Sequence, residues 1–564
     1  MNGALLLCLA GIVFLLGYLF YSRFLARRLG VDPSVPTPAH VKRDGVDFIP
    51  AHPTVLFGHH FAAIAGAGPI VGPVLAAEFG WASVALWIVL GCVFIGAAHD
   101  MIAMFLSVRH GGESIGSVIG TILGRPGKML FLLFSWSALV LVVSEFTRQI
   151  AGTFVADPAI ATASLLFIGE AILFGLCVNR WKMSVLWSSL VFVPLMFAFV
   201  WVGNLYPLDL TKWGLEPGSV RMIWTVVLLV YCFFASTCPV WILLQPRDYL
   251  NAYLLYAMMA LGFVGVFVAH PPLQLEAFTG FAGEGRFGEQ PLFPLLFVTV
   301  ACGACSGFHA LVASGTSAKQ LDSERGIRPI AYGGMLLEGV LAIIALIGVA
   351  GTYASQKDYV SAIRGMEPVQ MFASTIAGFC VKFFTTVGLS AETGKRIAES
   401  FMLLSVSAFL MTTVDAGTRL ARFSWQELVG TLPGKGRAKS VAHNMYVGTL
   451  VVVLLAAGLL LGAAETSKQL WTIFASANQL LAALTLLAAT LWFAKNRRPC
   501  WMTAIPMAFM MGVSSLALGM LFWKSFSGEG VDWVKGGATG FLLALAAVLV
   551  ALAVRVSAKP RGAR

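Results

Sequence analysis

Charged residues are scarce in this sequence. Only 12% of its 564 residues are Asp, Glu, Lys or Arg, whereas a soluble domain carries about 25%. Hydrophobic residues make up 58%, and the mean hydropathy is +0.83. Apolar windows long enough to cross a bilayer recur from one end to the other, and the gaps between them are too short for a soluble domain of useful size. The composition therefore predicts an all-α polytopic membrane protein.

Motifs of several enzyme classes are also missing. The sequence has no His-Glu-x-x-His metalloprotease motif and no Gly-rich phosphate loop of the Walker type. Cys302 and Cys305 have the spacing of half a zinc site, but they lie in an apolar run without a second pair, so we interpret them as packing residues. We expect no enzymatic activity, no ATP hydrolysis, no metal and no cofactor. The net charge of +11 is spread along the loops and does not indicate nucleic-acid binding.

The apolar windows predict fifteen transmembrane spans. Their approximate bounds are 3–20, 59–80, 84–107, 129–156, 160–179, 183–205, 222–245, 251–270, 291–316, 329–352, 398–415, 440–463, 470–493, 501–523 and 538–556. With the N-terminus outside, most of the 38 Lys and Arg residues lie in cytoplasmic loops, as the positive-inside rule requires. The C-terminus is then cytoplasmic. The segment 353–397 is mixed in polarity, and its part 369–390 could be re-entrant or interfacial.

The span at 59–80 cannot form one regular helix. Gly66, Gly68, Pro69, Gly72 and Pro73 fall in its middle, and Gly and Pro are the least favourable residues inside a helix. Carbonyls freed at membrane depth survive only where they are buried in protein or line a polar cavity. The stretch therefore predicts a broken helix around a binding site.

A second interrupted span is predicted at 222–245, around Ser236, Thr237 and Pro239. Paired broken helices in two inverted halves indicate a transporter binding site. The expected fold is an inverted 5+5 repeat (LeuT-like) core with two broken helices, plus one N-terminal and four C-terminal extra spans. The corresponding regions are 1–50 for the N-terminal span and its basic loop, 51–215 and 216–425 for the two repeats, and 426–564 for the C-terminal four spans.

The same stretches resemble the carbon starvation protein A (CstA) family. The segments that carry the resemblance are VLFGHHFAAIAGAGP at 55–69, QPRDYL at 245–250, ACGACSGFHAL at 301–311, YGGML at 332–336, TVDAGTR at 413–419 and ANQLLA at 477–482. They cover about residues 20–490. The resemblance implies a bacterial inner-membrane secondary carrier of the amino acid–polyamine–organocation superfamily, associated with uptake of peptides or pyruvate under nutrient limitation.

Three ionisable residues are the first candidates for proton coupling. His59 and His60 stand at the start of the broken span, and histidine titrates near neutral pH. Asp100 interrupts the apolar span 84–107, and a carboxylate inside a membrane is expensive and functional by default. The alternatives are that the histidines only anchor the helix and that Asp100 reaches the interface. The three could share one site because their spans are consecutive.

Other polar residues in the spans have competing interpretations. Glu145 and Arg148 would form an ion pair on one helical face, most simply a structural one. Glu170 and Glu338 are single mid-span carboxylates and possible proton carriers. Asp415 and Arg419, four residues apart, could form a gate salt bridge or a topology anchor.

The charge-free run 291–318 contains one histidine, His309, among small residues. Small residues allow helices to approach closely. Ser314 and Thr316 could instead coordinate a cation or a substrate oxygen, as the equivalent helix does in sodium-coupled carriers of the fold that the resemblance implies.

The sequence thus predicts a secondary active transporter that imports peptides or pyruvate, with protons as the coupling ion. Its substrate would be held by backbone and side chains at Gly66, Ala67, Gly68, Pro69, Ser236, Thr237 and His309, and a helix N-terminus favours a carboxylate there. The alternatives are a sodium-coupled carrier of a small carboxylate or amino acid, which would depend on Ser314 and Thr316, and a channel. The oligomeric state and the role of the last four spans stay open.

Overall fold

The computed structural model describes residues 1–44, 47–239, 241–433, 436–462, 469–527 and 531–558. Within these ranges, 13 helices are long and apolar enough to cross a membrane, or up to 15 if two bent helix pairs count as one span each. The expectation of an all-α membrane protein with about fifteen spans is therefore confirmed.

The helices are numbered here in chain order. They are α1 Gly3–Leu29, α2 Pro53–Ile64, α3 Gly68–Phe79, α4 Trp81–Arg109, α5 Ile115–Ala156, α6 Pro158–Asn179, α7 Val185–Leu205, α8 Pro217–Thr237, α9 Leu244–Ala269, α10 Leu292–Val300, α11 Gly307–Val312 with its continuation Ala313–Ser317 and Ala318–Gln320, α12 Glu324–Thr352, α13 Gln356–Gly365, α14 Pro368–Thr386, α15 Ala391–Thr431, α16 Arg437–His443, α17 Met445–Leu461, α18 Leu470–Lys495, α19 Trp501–Lys524 and α20 Trp533–Ala558. Short single turns lie at Pro38–Val41 and Leu210–Trp213. An antiparallel hairpin, β1 Ala282–Gly285 and β2 Gly288–Pro291, precedes α10.

The first predicted break is present. The chain leaves the helix at Ile64 and re-enters it at Gly68, with a bend of 44° between α2 and α3. Pro69 stands in the first turn of α3, where its missing N–H costs nothing. The broken helix is confirmed, with Gly66 in the break and Pro69 in the first turn after it, whereas Gly72 and Pro73 lie inside α3 and do not interrupt it.

The second break is not where the sequence placed it. The prediction of a broken span at 222–245 is wrong, because α8 runs without interruption to Thr237 and Cys238 is extended, so the chain turns into a separate helix, α9. Pro239 follows a helix end instead of interrupting a helix. The second broken helix consists of α10 and α11, which are separated by Ala301–Ser306, with φ of +39° at Ala301.

The two broken helices pack closely against each other at two glycines of α3. A Cβ on Gly68 would lie 2.3 Å from the Cβ of Cys302, and one on Gly72 would lie 2.5 Å from the carbonyl oxygen of Val300. Only glycine fits at such distances. The glycines of α3 are therefore required for the contact with the second break as well as for the first break itself.

The loops gather at two ends of the helix bundle. At one, which we call the basic end, Lys42 donates to the carbonyl of Gly111 (2.9 Å) and Arg498 to that of Leu29 (2.6 Å). At the opposite end, the N–H of Gly3 donates to the carbonyl of Pro271 (2.8 Å). Loops that the basic-residue pattern assigns to one side of the membrane do meet at one end.

The segment 353–397 covers the opposite end. It forms α13, α14 and the start of α15, and neither α13 nor α14 is among the helices able to span the membrane. The hydroxyl of Tyr359 in α13 donates to the carbonyls of Val74 and Leu75 (2.8 and 2.9 Å). This segment therefore binds carbonyl groups near the end of α3 and closes that side of the broken helix.

Candidate functional site

A chain of four buried ionisable side chains lies beside the two helix breaks. The Nδ1 atom of His99 lies 2.8 Å from Oδ1 of Asp100, and Oδ2 of Asp100 lies 2.8 Å from Nδ1 of His309. Nε2 of His309 lies 3.2 Å from Oε2 of Glu338. All four side chains are fully buried. The chain connects α4, α11 and α12 through direct contacts between ionisable groups.

The position of His309 follows from the second break. It lies in the first turn of α11, directly after the unwound segment, and Asn478 of α18 accepts the N–H of Phe308 (2.8 Å). The amide of Asn478 also donates to Ser306 (3.0 Å). A side-chain oxygen at a helix start satisfies an N–H that has no partner within the helix. Asn478 thus stabilises the start of the short helix that carries His309.

The two neighbouring histidines of α2 point to different partners. His60 is fully buried and its Nδ1 lies 2.8 Å from the hydroxyl of Ser317 in the continuation of α11. His59 instead faces Asp248 of α9, at 3.5 Å. The structure therefore places His60 against the helix that carries His309, and His59 against a carboxylate of α9.

The central cavity at the breaks is small. Its volume is about 10 Å³, roughly the room for one water molecule. Gly66 and Gly68 line it together with Cys302, Phe146 and Thr413. Ala67, between these glycines, is fully buried, and Pro69 packs against Gly303 of the second break. The first four predicted substrate contacts are thus at or beside this cavity, which is closed in this conformation.

The remaining predicted substrate contacts on α8 lie elsewhere. The hydroxyl of Ser236 is 3.3 Å from that of Thr449 in α17, and the hydroxyl of Thr237 donates to the carbonyl of Phe233 (2.9 Å). Neither residue lines the central cavity. Their assignment to the site depends on a second break in α8. The break between α10 and α11 instead brings Cys302 against Gly68 of the first broken helix.

One metal-binding donor set exists among the described residues. Cys302, His309 and Glu338 place a thiol, an imidazole nitrogen and a carboxylate oxygen within 4.8 Å of one another, all buried. Such donors are of the type that binds zinc. The sequence could not show this set, because its members come from three separate segments.

A second buried ionic cluster lies towards the basic end. Asp415 of α15 pairs with Arg247 of α9 and accepts the hydroxyl of Tyr231 (2.7 Å). The suggested Asp415–Arg419 salt bridge is therefore not formed. Arg419 donates to the carbonyls of Ala235 (2.9 Å) and Cys238 (2.6 Å). Arg419 therefore binds backbone carbonyls at the end of α8 and not the carboxylate of Asp415.

A third cluster is at the opposite end. Arg148 pairs with Glu145 (2.8 Å), as the spacing predicts, and also lies 3.6 Å from Glu367, the N-cap residue of α14. Arg221 and Arg286 contact the same carboxylate at 3.2 and 3.1 Å. Burial would raise the pKa of Glu367, but the three guanidinium groups outweigh it and hold the pKa at about 2. Glu367 thus joins α5, α8, the β-hairpin and α14.

The hydroxyls considered for sodium bond within their own helix. Ser314 donates to the carbonyl of Ala310 (2.7 Å) and Thr316 to that of Val312 (2.9 Å). The oxygen of Ser314 also accepts the N–H of Ile115, at 3.4 Å. The neighbouring hydroxyl of Ser317, which the sequence did not single out, is the one that reaches His60.

Sequence reasoning underrated three of these residues. In the sequence nothing distinguishes Glu338 from Glu170, whereas in the structure Glu338 lies 3.2 Å from His309. Arg247 and Asp248 are adjacent opposite charges at the start of a span, and the sequence assigned neither of them a role at a site. The signal that could have found them is that adjacent opposite charges entering a membrane span need partners there.

This geometry defines a class of protein. Two broken helices that meet at a buried chain of ionisable groups, inside a bundle of membrane-spanning helices, are the arrangement of a secondary carrier. The chain belongs to the family described as carbon starvation protein CstA, whose model matches residues 2–364 and 351–517.

Similar curated proteins carry the names of transporters. The peptide transporter CstA of Escherichia coli (strain K12) is 32% identical over 91% of this chain and 80% of its own length. The peptide transporter CstA of Bacillus subtilis (strain 168) is 32% identical over 90% and 89%. The pyruvate/proton symporter BtsT of Escherichia coli (strain K12) is 31% identical over 91% and 81%.

Solved structures resemble the chain more distantly. MhsT in complex with L-phenylalanine has a TM-score of 0.47 and 12% identity over 90% of this chain and 98% of its own. A mutant manganese transporter of Eremococcus coleocola has a TM-score of 0.44 and 12% identity over 91% and 98%. At these scores the likeness is weak, so the description of the architecture rests on the broken helices themselves.

Proposed function

We propose that this protein imports a small carboxylate-bearing molecule, a peptide or pyruvate, by proton symport. Its relatives are named for these two substrates, and one of them for proton coupling. The substrate would occupy an enlarged form of the central cavity, where α3 begins. A helix start offers unpaired N–H groups and a partial positive charge to a carboxylate.

The observation that carries proton coupling is the buried chain His99–Asp100–His309–Glu338. Each contact joins two groups that can hold a proton, and burial makes an unpaired charge among them expensive. The chain connects α11 of the second broken helix to α4 and α12, so a change in its protonation acts on the helices around the cavity. Glu338 ends this chain, and with its Oε2 3.2 Å from Nε2 of His309 it can exchange a proton with that imidazole.

We also propose a bacterial inner-membrane location with the basic end in the cytoplasm. The N-terminus is then outside and the C-terminus inside. A vestibule of about 700 Å³ opens at the basic end, lined by Thr54, His59, Gln245, Tyr256 and Gln320 among others. The opposite end is closed by α13 and the Glu367 cluster. The vestibule is therefore the cytoplasmic exit.

The two breaks also suggest a revised division of the chain. The regions 51–215 and 216–425 were proposed as inverted repeats around breaks at 66–69 and 236–239. With the second break at 301–306, equivalent halves would start at Pro53 and Leu292. The four helices α6 to α9 then lie between α5 and α10, which is more than a repeat of five spans requires. We propose that the hairpin α6–α7 is an insertion.

The experiment is uptake by proteoliposomes under an imposed inward proton gradient without sodium, with labelled pyruvate and a labelled dipeptide in parallel. We expect one of them to accumulate and a protonophore to abolish the accumulation. Asp100→Asn and Glu338→Gln should each abolish accumulation while substrate exchange persists. Glu427→Gln, which changes an ion pair with Lys128 at the basic end, is the matched control and should keep full accumulation.

Other outcomes would select a different function. Accumulation only with sodium, lost in Ser314→Ala, would favour the sodium-coupled alternative. Flux that never exceeds the gradient would indicate a channel. Loss of uptake on adding a chelator would show that the donor set of Cys302, His309 and Glu338 holds a metal, in contradiction to its use as a proton carrier.

A further inference from the structure

Around Arg247, more positive than negative charge is buried. The side chains of Arg247, Arg419 and Arg422 are all buried, with exposed fractions of 0%, 9% and 6%. The buried carboxylates beside Arg247 are Asp248, its neighbour in the chain, and Asp415, its ion-pair partner. A buried guanidinium group without a counter-charge is costly. The excess of one positive charge in this cluster favours the binding of an additional anion.

Among the described residues, Arg247 has two buried donor nitrogens without a partner, whereas Arg419 and Arg422 have one each. One nitrogen of Arg247, Nη1, donates to Asp415 and to the hydroxyl of Tyr231. Its Nε and Nη2 atoms are buried and have no hydrogen-bond partner within the described ranges. The guanidinium group presents paired N–H groups that match a carboxylate in geometry. Arg247 therefore offers a ready pair of donors to a carboxylate.

The other two arginines bind backbone carbonyls through one terminal nitrogen each, and of their buried nitrogens only Nε has no partner among the described residues. Arg419 binds the carbonyls of Ala235 and Cys238, and Arg422 donates to the carbonyl of Ser236 (2.8 Å). These bonds hold the end of α8 against α15. Their role is structural, so they serve as controls for Arg247.

Arg247 also lies between the central cavity and the exit vestibule. Its partner Asp415 is two residues beyond Thr413, which lines the cavity, on the basic-end side of α15. Its neighbours on α9, Pro246 and Tyr249, line the vestibule. A substrate that leaves the cavity for the vestibule must pass this point.

We propose that Arg247 binds the carboxylate of the substrate on the exit path, through Nε and Nη2, while Asp415 holds the guanidinium group in place. His59, which faces Asp248 and lines the vestibule, belongs to the same passage. The inference rests on the proposed function, because it takes the carboxylate-bearing substrate from it. It adds a binding site on the basic-end side that neither helix break contains.

The test compares the two faces of the transporter. In proteoliposomes of defined orientation, KM for the substrate that the wild type accumulates is measured from the basic-end side by efflux and from the opposite side by uptake. Arg247→Gln should raise KM from the basic-end side about tenfold or more, and change KM from the opposite side less than twofold. The matched control Arg422→Gln should leave both values unchanged.

A second readout identifies the carboxylate as the recognised group. Added on the basic-end side, the neutral amide of the same substrate should inhibit wild-type efflux at least tenfold more weakly than the acid does. In Arg247→Gln this difference should disappear. If that variant does not fold, Arg247→Gln combined with Asp415→Asn removes both charges together and is measured in the same way.

The outcomes separate this inference from the proposed function. If the wild type accumulates neither pyruvate nor the dipeptide, the proposed function fails and the inference fails with it. If the wild type accumulates substrate but KM from the basic-end side is unchanged in Arg247→Gln, the inference alone is overturned. An equal rise of KM on both faces would also overturn it, because it would place Arg247 at a site shared by both sides.

Discussion

Replacing Glu367 by Gln tests whether its three arginines close the end of the protein opposite the basic end. The carboxylate has an ordinary pKa of 4.5, and the arginines hold it at about 2 although the side chain is largely buried. A shift of about two and a half units corresponds to about 3 kcal/mol in favour of the folded, ionised state. Because Arg221 is 40% exposed, solvent screens part of this energy, and we expect about 2 kcal/mol.

The sign of the pH dependence follows from the lowered pKa. The stabilisation is fully present above pH 4.5, where the Glu367 carboxylate is ionised whether the segment α13–α14 is packed against the protein or locally opened. It is lost as the pH falls from about 4.5 to about 2, because the opened segment then takes up a proton first. The Gln variant carries no charge and should show no such change.

The assay is hydrogen exchange of the backbone amides of α13 and the start of α14, in the protein reconstituted into nanodiscs. A loss of about 2 kcal/mol should speed exchange through local opening about 30-fold at pH 7. The ratio of the variant to the wild type should be several-fold smaller at pH 3. Glu284→Gln, which breaks the exposed pair with Arg364 (2.7 Å) on the same face, is the control and should change exchange less than fivefold. A ratio below threefold at pH 7, or one that does not depend on pH, would refute the reasoning.

Three further substitutions test other parts of the structure. Gly68→Ala adds a Cβ 2.3 Å from a side chain of the second break and should lower the thermal midpoint by several degrees and stop uptake, whereas Gly169→Ala, which meets nothing within 4 Å, should do neither. Asn478→Ala removes the acceptor at the start of α11, and a loss of about 1 kcal/mol or more is expected in chemical unfolding; unchanged stability would contradict the capping role. Ser314→Ala and Thr316→Ala should each leave proton-driven uptake unchanged, since both hydroxyls donate within their own helix. Uptake that requires sodium and is lost in either variant would contradict this and favour sodium coupling.

Much of the fold could be predicted because a bilayer leaves few choices. Backbone groups in the membrane must bond internally, so each apolar window becomes a helix, and windows such as 470–493 and 501–523 match α18 and α19 closely. The first break was predictable for the same reason. Five Gly and Pro residues within eight positions disfavour one continuous helix, and the chain does leave the helix at Ile64, although four of the five lie in the helix that begins again at Gly68.

The second break shows the limit of such reasoning. Pro239 is a stronger helix breaker than any residue near Ala301, yet it follows the end of α8, while the break falls in a run of small residues without proline. What decides is packing: Cys302 and Val300 lie against Gly68 and Gly72, and Asn478 binds the start of α11 from another helix. No local pattern contains contacts between segments that are 170 or more residues apart.

The amino-acid sequence by itself determined that this is a helical membrane protein with a broken helix at Gly66–Pro69, because hydrophobic length and the absence of regular helix formers act locally. It also marked His60, Asp100 and His309 as costly residues inside apolar spans. Only the tertiary structure decided that Asp100 bonds His309, that His309 reaches Glu338, and that Arg247 keeps two buried donors free of partners. The reason is that the energy of a buried charge depends on its partners across helices, and those partners are set by how the broken helices pack.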